Sequence, residues 1–453
     1  SAAFFANATY SYKGRYTVNG TARYEGTNRM GKSRSARWLP TWNVSGAWNA
    51  HEEKFFSNLT SVLSHFTLKA SYSLTADRGP ADVTNSQAII TSYSPYRPFT
   101  SIQESGLYIK ELENSELTYE KKHELNIGAD MGFLNNRINL AVDWYKRNNY
   151  DLIGIVNTQG AGGQILKYAN IASMKSHGIE FTLSTKNIKT KDFNWNTDFI
   201  FSNAKNEVTD LKQNANVMEL ISGNGFAKQG YPVRGLFSIP FVGLDKDGIP
   251  VIINEKGEAT STDINFQERQ NTGFLKYEGP TDPTITGSLG NMFSYKGFRL
   301  NLFITYSFGN VIRLNPVFKA YYSDLTAMTR EFKNRWTLPG DEAKTNVPAI
   351  LSKRMYDSNE DLKYAYNAYN YSTERIAKGD FIRLKEISLA YDFPKAWINP
   401  LKLTDLSLKV QATNLFLIYA DDKLNGQDPE FFNAGGVASP VPRQFTITLR
   451  LGL

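Results

Sequence analysis

Apolar and polar residues alternate along most of this chain, and that period constrains its fold more than any other feature. Residues 299–308 place an apolar side chain at every second position, and residues 193–202 and 445–453 do the same. An extended strand turns successive side chains to opposite faces, so each such segment predicts a strand with one apolar and one wet face. About thirteen such segments can be counted. They lie near residues 3–12, 16–24, 41–50, 65–76, 119–131, 137–147, 174–185, 193–203, 284–294, 299–308, 381–393, 406–417 and 445–453. The sequence therefore predicts an all-β fold.

The connections between these segments alternate between short turns and long loops. The short ones include residues 13–15, 134–136, 187–192 and 295–298. The long ones are residues 77–118, 204–283, 309–380 and 418–444. Outer-membrane barrels have this asymmetry, with short periplasmic turns and long extracellular loops, and strands of about ten residues cross the bilayer when they are tilted. The connection lengths therefore predict a transmembrane antiparallel β-barrel.

The chemistry of the two strand faces supports the same prediction. The wet face carries charges that a packed soluble core excludes but a water-filled or plugged lumen accepts. These charged residues include Lys69, Glu124, Asp130, Asp143, Asp198 and Arg450. The opposite face is aliphatic, with tryptophans near the strand ends, as expected at membrane interfaces. The alternative is a large soluble β-protein with one solvated face per sheet.

Composition excludes several other classes of protein. Mean hydropathy is -0.40, and no segment approaches the about 18–20 apolar residues of a membrane helix. Aromatic residues make up 13% of the chain, too many for a disordered or collagen-like sequence. Cysteine is absent, which excludes disulfides, thiolate metal sites and thiol nucleophiles. The net charge of +7 permits an anionic partner such as lipopolysaccharide, but it is too diffuse to indicate nucleic acid.

The odd number of strands leads to an expectation about the start of the chain. If the last strand runs towards the periplasm, an odd count makes the first strand run the same way. A barrel entered from the periplasm begins with an upward strand, so at least one more strand is expected before residue 1. Residues 1–12 already alternate and lack the pattern of a signal peptide. We therefore expect either a mature protein that opens inside a strand or the C-terminal part of a longer protein.

Several motifs, in order along the chain, resemble the SusC/RagA family of TonB-dependent transporters of the Bacteroidetes. In that family a strand ends in a loop similar to R-x-D-G-S-S-R-F, and the next strand is similar to W-x-x-F-P-S-x-x-x-x-W. Residues 22–53 resemble this pair, with matches at Arg23, Gly26, Arg29, Trp38, Pro40 and Trp48. Further similar segments are residues 66–77, 114–153, 169–183, 379–394 and 411–418. The chain departs from the family where Glu25 replaces Asp and where Ser115 replaces Pro after Asn114.

The resemblance implies the architecture of a larger transporter. The family has a barrel of about 22 strands occluded by a plug domain, and about thirteen strands counted back from the last begin near the tenth. Residues 1–453 are then the C-terminal portion of the barrel, with the plug and the other strands elsewhere in the protein. The implied function is TonB-dependent import of an oligosaccharide or oligopeptide across the outer membrane.

The resemblance also implies partners and leaves rival functions to consider. A SusD-like surface lipoprotein would act as a lid on the long loops, and the TonB complex would act through the plug. The other implied partners are the remaining N-terminal part of the barrel and the lipid of the outer membrane. The family is also compatible with a dimer of transporter–lipoprotein pairs. A passive porin-like channel is the alternative function. An outer-membrane enzyme is the second rival, but no clustered acid, base or nucleophile supports it, so no catalysis and no cofactor are predicted.

Aromatic residues in the long loops are candidates for contact with substrate or lid. Exposed rings stack on sugar faces or peptide side chains, while a phenol or indole adds a hydrogen bond. Residues 364–371, YAYNAYNY, concentrate four tyrosines in one predicted loop. The candidates are Trp38, Tyr93, Tyr96, Tyr321, Tyr322, Tyr364, Tyr366, Tyr369 and Tyr371. The alternative is that these rings pack the loops together or against a lipoprotein.

Three shorter patterns are predicted to carry no chemistry. Residues 26–33, GTNRMGKS, match the phosphate-binding loop pattern, but no helical periodicity follows, so a simple loop is predicted. Residues 245–248, DKDG, resemble the start of a calcium loop without its later ligands, so an Asp-Gly hairpin turn is predicted. The four histidines match no metal-binding pattern. They are His51, His65, His123 and His177.

Overall fold

One sheet of thirteen strands dominates the computed structural model, which describes residues 1–79, 87–96, 105–157, 166–322, 329–432 and 442–452. The strands in chain order are β1 (Ala2–Tyr12), β2 (Tyr16–Gly26), β3 (Trp38–Asn49), β4 (Leu63–Asp77), β5 (Ile89–Tyr93), β6 (Gly106–Glu111), β7 (Glu120–Phe133), β8 (Ile138–Asn157), β9 (Leu166–Lys189), β10 (Phe193–Leu211), β11 (Gly235–Ser238), β12 (Phe241–Leu244), β13 (Pro250–Ile253), β14 (Ala259–Thr260), β15 (Lys276–Pro280), β16 (Ile285–Tyr295), β17 (Phe298–Phe308), β18 (Val311–Arg313), β19 (Ile376–Lys378), β20 (Phe381–Asp392), β21 (Asp405–Ala420) and β22 (Gln444–Gly452). The helices are α1 (Arg34–Arg37), α2 (Val217–Ile221), α3 (Lys353–Ser358), α4 (Leu362–Asn370) and α5 (Lys395–Ile398).

The large sheet follows the order of the chain and omits only the short strands of the loops. Its order is β1-β2-β3-β4-β7-β8-β9-β10-β16-β17-β20-β21-β22. The pairings from β1 to β8 and from β10 to β22 are antiparallel. Sequential antiparallel pairing is the topology that the alternating sequence predicted, and the thirteen strands occupy the thirteen predicted segments.

Three strands run well beyond their predicted ends. β8, β9 and β10 contain 20, 24 and 19 residues, whereas the alternation predicted strands of about ten. The extra residues of β8 continue the ladder, because Tyr150 still pairs with Lys121 of β7. Further along the extension, Ile153 packs against the cluster of Met30, Leu117 and Tyr119. The alternation that predicts a strand therefore stops before the strand does.

Tight turns close one end of the sheet. Lys13 and Gly14 both have positive φ, at 51° and 69°, and Arg15 N donates to Tyr12 O at 3.0 Å. This left-handed pair lies in a three-residue hairpin loop, since Tyr12 pairs with Tyr16. Residues 134–136 use three consecutive positive φ angles for the same purpose. We call this side the turn end, and the side from which the long connections leave the loop end.

The chain divides into two compact units. The first contains residues 1–181 and 204–213, and the second contains residues 182–203 and 214–453. In the first unit Met30, Leu117 and Tyr119 form a small core. It joins the segment that follows β2 to the segment that precedes β7. In this part of the chain, the long connection 77–118 contributes the β5–β6 hairpin.

The long connections of the second unit fold into structure of their own. They build a β11–β15 pair, a β12–β13–β14 sheet and a β18–β19 pair. Three hydrophobic clusters fill the space between these elements. Helix α4 serves two of the clusters, because its apolar residues recur at helical spacing and its buried face carries Ala365, Tyr366 and Ala368. We call this folded part the loop layer.

The longest helix in the described residues, α4, has nine residues. Within the described residues, no helix has the length and apolar character that a membrane span requires.

Candidate substrate-binding surfaces at the loop end of the sheet

The apolar face of the sheet is left uncovered by the described residues. In the first unit Val18, Val44 and Ile127 are 54%, 54% and 42% exposed. In the second unit Leu389 and Val410, which face each other in adjacent strands, are 48% and 47% exposed. A continuous aliphatic sheet face without a protein layer over it is a surface for lipid, whereas a soluble sheet buries its apolar face. The soluble alternative is therefore not supported.

The opposite face of the sheet is charged, as the sequence predicted. Lys69 Nζ lies 2.9 Å from Asp130 Oδ2, and Arg147 Nε lies 3.1 Å from Glu124 Oε2. In the second unit the Ser184 hydroxyl donates to an Asp198 carboxylate oxygen at 2.6 Å. These groups remain partly exposed, so each pair is solvated. Such a face suits the wall of a hydrated passage.

A cavity of about 650 Å³ opens at the loop end of β2, β3 and β4. Glu25 accepts from Arg23 Nη2 at 2.6 Å and also pairs with the guanidinium of Arg78. A third arginine, Arg29, lines the same cavity together with Asp77. Among the described residues that line the cavity, three guanidinium groups and two carboxylates come together.

Three of the nine aromatic candidates are buried, so the expectation that they are exposed is wrong for these residues. Tyr366 and Tyr369 are each 2% exposed, and Tyr322 is 9% exposed. The Tyr366 hydroxyl donates to Ala349 O at 2.6 Å, and the Tyr369 ring packs edge-on against Phe318 at 5.0 Å. Residues 364–370 form part of helix α4 instead of an open loop, and the helical period turns two of the tyrosines into the core.

The chemistry of these three phenols agrees with a structural role. Burial raises the pKa of Tyr366 and of Tyr369, and it raises the pKa of Tyr322 to about 12. The Tyr322 hydroxyl also donates to Val317 O at 3.0 Å and accepts from Lys319 N at 2.7 Å. Neutral, hydrogen-bonded and enclosed rings of this kind hold the loop layer together.

The other six candidates reach solvent to different degrees. Tyr96 is 90% exposed, Tyr93 is 49% exposed, and Tyr321 and Tyr364 are 42% and 40% exposed. Trp38 and Tyr371 are half-buried, with the Trp38 ring stacked on Tyr24 at 4.9 Å. Trp38, Tyr93 and Tyr96 belong to the first unit, whereas Tyr321, Tyr364 and Tyr371 belong to the second.

One groove in the loop layer brings three of the nine candidates together. Its volume is about 500 Å³, and Tyr321, Tyr366 and Tyr371 are among its lining residues. Tyr321 also stacks on Tyr356, which the sequence did not single out, with ring centres 6.2 Å apart and planes 22° apart. The size falls within the about 300–1,000 Å³ of ligand pockets. We call this site the tyrosine groove.

Buried arginines form a second feature that the sequence did not reveal. Arg313 is 3% exposed and donates to Phe237 O at 2.5 Å, Ser238 Oγ at 3.0 Å and Ser372 O at 2.9 Å. Burial lowers its pKa to about 9. Arg313 therefore ties together strands β18 and β11 and the start of the segment after α4. Nothing local marks it, because its partners lie 59 to 76 residues away along the chain.

The phosphate-loop pattern is not a phosphate site. The amides of Gly31 and Lys32, which such a site would need, donate instead to Leu117 O at 2.8 Å and Ser115 O at 3.0 Å. A single helical turn, α1, does follow the pattern and is capped by the Ser33 hydroxyl, so the expectation that no helix follows is wrong by one turn. The amides that could hold phosphate are already occupied.

The pattern at residues 245–248 has a structural explanation. Residues 245–248 form the predicted turn between β12 and β13, in which Asp245 Oδ1 accepts from the amides of Asp247 and Ile249 at 2.9 Å each. Gly248 supplies the positive φ of 75°. In the described part of the chain, no group of three or more His, Asp or Glu residues could hold a metal ion.

Sequential antiparallel strands, a lipid-type face and a charged opposite face define a transmembrane β-barrel protein of the outer-membrane class. Residues 1–415 match the family described as TonB dependent receptor-like, beta-barrel, and the chain belongs to that family. This is a family of transporters and receptors, and its members lie in the outer membrane of Gram-negative bacteria. The resemblance to SusC/RagA proteins is thereby confirmed.

Named relatives place the chain among proteins of the Bacteroidetes. It is 25% identical to TonB-dependent receptor P3 of Formosa agariphila over 446 residues, which cover 94% of this chain and 41% of the relative. It is 26% identical to TonB-dependent receptor SusC of Bacteroides thetaiotaomicron over 477 residues, which cover 99% of this chain and 43% of the relative. The chain thus spans less than half the length of these relatives.

A solved structure supports the fold independently. The RagAB peptide transporter matches with a TM-score of 0.78 over 99% of this chain and 47% of the matched chain. Sequence identity in that comparison is 23%. The shared feature is the arrangement of the strands.

Proposed function

We propose that this chain forms the C-terminal portion of the barrel of a SusC-like transporter that imports an oligosaccharide or oligopeptide across the outer membrane. Import depends on TonB acting through a plug domain in the rest of the protein. The observation that carries the proposal is a sheet with one face suited to lipid and the other suited to a hydrated path. The chain covers 41% and 46% of the length of two relatives. A transporter of their length therefore has residues enough for a plug and further strands.

The loop layer supports a role for a SusD-like lipoprotein as partner. The long connections hold hydrophobic clusters and buried arginines, so they present a preformed surface. Of the candidate rings, Tyr364 and Tyr321 are exposed in this layer, and Tyr93 and Tyr96 are exposed in the first unit. We assign lid or substrate contact to the exposed rings, and loop stability to Tyr322, Tyr366 and Tyr369.

The substrate class has two candidates with different support. The matched structure is named a peptide transporter and peptide importer, which favours an oligopeptide by analogy of fold. The tyrosine groove favours a ring-shaped solute, because aromatic faces stack on sugar rings as well as on side chains.

Energised uptake distinguishes the proposal from a passive porin-like channel. The measurement is uptake of the cognate nutrient by the native strain, with and without a protonophore and with and without a functional TonB. We expect uptake to collapse in both treatments and in a strain that lacks the gene. Uptake that needs this gene but survives loss of TonB would establish the passive channel instead.

A further inference from the structure

We infer that the tyrosine groove binds an acidic oligosaccharide, whose sugar ring lies on the tyrosine faces and whose carboxylate or sulfate meets lysine ammonium groups. The inference rests on the proposed function, because it names the substrate class that the transporter accepts. It uses only residues of the groove in the second unit.

The walls of the groove provide a platform for a sugar ring. Tyr321 and Tyr356 lie nearly parallel, with planes 22° apart and ring centres 6.2 Å apart, which is the geometry of offset stacking. Tyr321 is 42% exposed, so its face is open to a ligand. One face of the Tyr321 ring lies towards Tyr356, so a ligand stacks on its other face, which is flat and apolar. The C–H face of a pyranose matches such a surface, whereas an acidic peptide side chain has no flat face to place there.

The floor of the groove is rigid. The Asn370 side chain accepts from Phe318 N at 3.0 Å and donates to Phe318 O at 2.8 Å. Tyr366 also lines the groove, and its hydroxyl is anchored on Ala349 O. A floor fixed by buried hydrogen bonds does not need to be ordered when a ligand arrives, so binding loses little entropy.

The charge of the groove selects for an anion. Lys319 and Lys363 line it, and both are exposed. Neither lysine pairs with a carboxylate in the described part of the chain, and the described residues that line the groove include no Asp or Glu. An ammonium group offers three donors to a carboxylate or sulfate. Asn367 adds an amide suited to a ring hydroxyl.

The test measures binding to the full-length transporter purified in detergent, by isothermal titration calorimetry. The probes are a tetragalacturonate, its methyl ester, a neutral maltotetraose and a tetraglutamate peptide. We expect the tetragalacturonate to bind best and its methyl ester to bind about tenfold more weakly or worse, because esterification removes the charge that the lysines recognise. Equal binding of the acid and its ester, or preference for the peptide, would overturn the inference.

Variants locate the site. The double variant Lys319→Gln, Lys363→Gln should weaken binding of the tetragalacturonate by about tenfold or more. Its affinity for maltotetraose should stay unchanged. Lys333→Gln with Lys353→Gln removes the same charge from exposed positions outside the groove and should leave binding intact. If both double variants lost affinity for the tetragalacturonate equally, the assignment of the site to the groove would be overturned. The comparison of acid with ester needs no variant, so the inference stays testable even if the groove variants do not fold.

Failure of the inference is separable from failure of the proposed function. TonB-dependent uptake of neutral glycans or peptides, with no preference for acidic oligosaccharides, would contradict the inference. It would still support the proposed transporter function. Preferential acid binding by a protein that no uptake requires sinks the proposed function and supports the groove assignment.

Discussion

Arg383 Nη2 lies 2.6 Å from Asp428 Oδ1, and the two side chains are 2% and 0% exposed. The arginine belongs to strand β20, and the aspartate belongs to the long connection 418–444. Glu430 Oε2 adds a second contact to the same guanidinium at 3.3 Å. A long connection is thereby bound to the wall of the sheet by a buried ion pair.

Breaking this pair should loosen the connection. Asp428→Asn leaves a buried guanidinium without its counter-charge, and removal of one partner from a buried pair costs about 3–5 kcal/mol. We expect faster hydrogen exchange at the amides of residues 421–432 and a lower melting temperature. Asp392→Asn is the control, because its pair with Arg299 is about half exposed and should contribute at most about 1 kcal/mol. Equal effects of the two variants would contradict the account.

The tyrosines of helix α4 should divide into two classes. Tyr366→Ala with Tyr369→Ala removes two rings that are each 2% exposed, and truncation of a buried aromatic ring costs about 3–5 kcal/mol. We expect the loop layer to unfold locally, which limited proteolysis of the purified transporter would detect. Tyr364→Ala should leave the proteolytic pattern unchanged, because that ring is 40% exposed. Cleavage that starts equally in both proteins would argue against a structural role for the buried pair.

Alkaline pH should destabilise the loop layer before the strands. Burial raises the folded-state pKa of Tyr322 from its usual value near 10 to about 12. The neutral phenol therefore contributes stability that is complete below pH 10 and is lost as the pH rises towards about 12. Absorbance at 295 nm and loop-layer proteolysis should change together in that window. In Tyr322→Phe this loss should shrink, and an identical pH profile for the variant would contradict the assignment.

In the segment that resembles a phosphate loop, adding a side chain should disturb folding, whereas removing a charge should not. Lys32→Ala removes only an exposed pair with Glu113 at 2.8 Å, so stability should change by at most about 1 kcal/mol. Gly31→Ala should fail to fold normally, since an added Cβ would lie 1.9 Å from Ser115 O. Outer-membrane abundance of the two variants measures this difference. ATP binding that Lys32→Ala abolishes would contradict the interpretation as a structural loop.

The sheet could be predicted from the sequence because its information is local. Alternation within each strand, as in residues 299–308, reports the two faces directly, and the thirteen predicted segments became thirteen strands. The loop layer could not be predicted in this way. The contacts that define it join residues distant in the chain, such as Arg313 with Phe237 and Asn370 with Phe318. No local pattern carries that information.

Helix α4 of the loop layer could have been predicted from the sequence. Leu362, Ala365, Tyr366 and Tyr369 recur at helical spacing, which indicates a buried helix face. Counting the tyrosines of residues 364–371 as loop rings overlooked this period. Tyr356 was missed as a groove residue because its partner Tyr321 lies 35 positions earlier, and nothing in either segment indicates the stacking.

The central claim is that the polar face of the sheet lines the transport path and the apolar face meets lipid. The chain contains no cysteine, so single cysteines at neighbouring positions of β3 can test it in a full-length transporter from which any other cysteine has been removed. Ser45 lines a cavity on the polar face, while Val44 is 54% exposed on the apolar face. With Ser45→Cys, a bulky water-soluble thiol reagent should label the protein and block uptake; with Val44→Cys, it should do neither. Equal labelling and equal block at both positions would contradict the account.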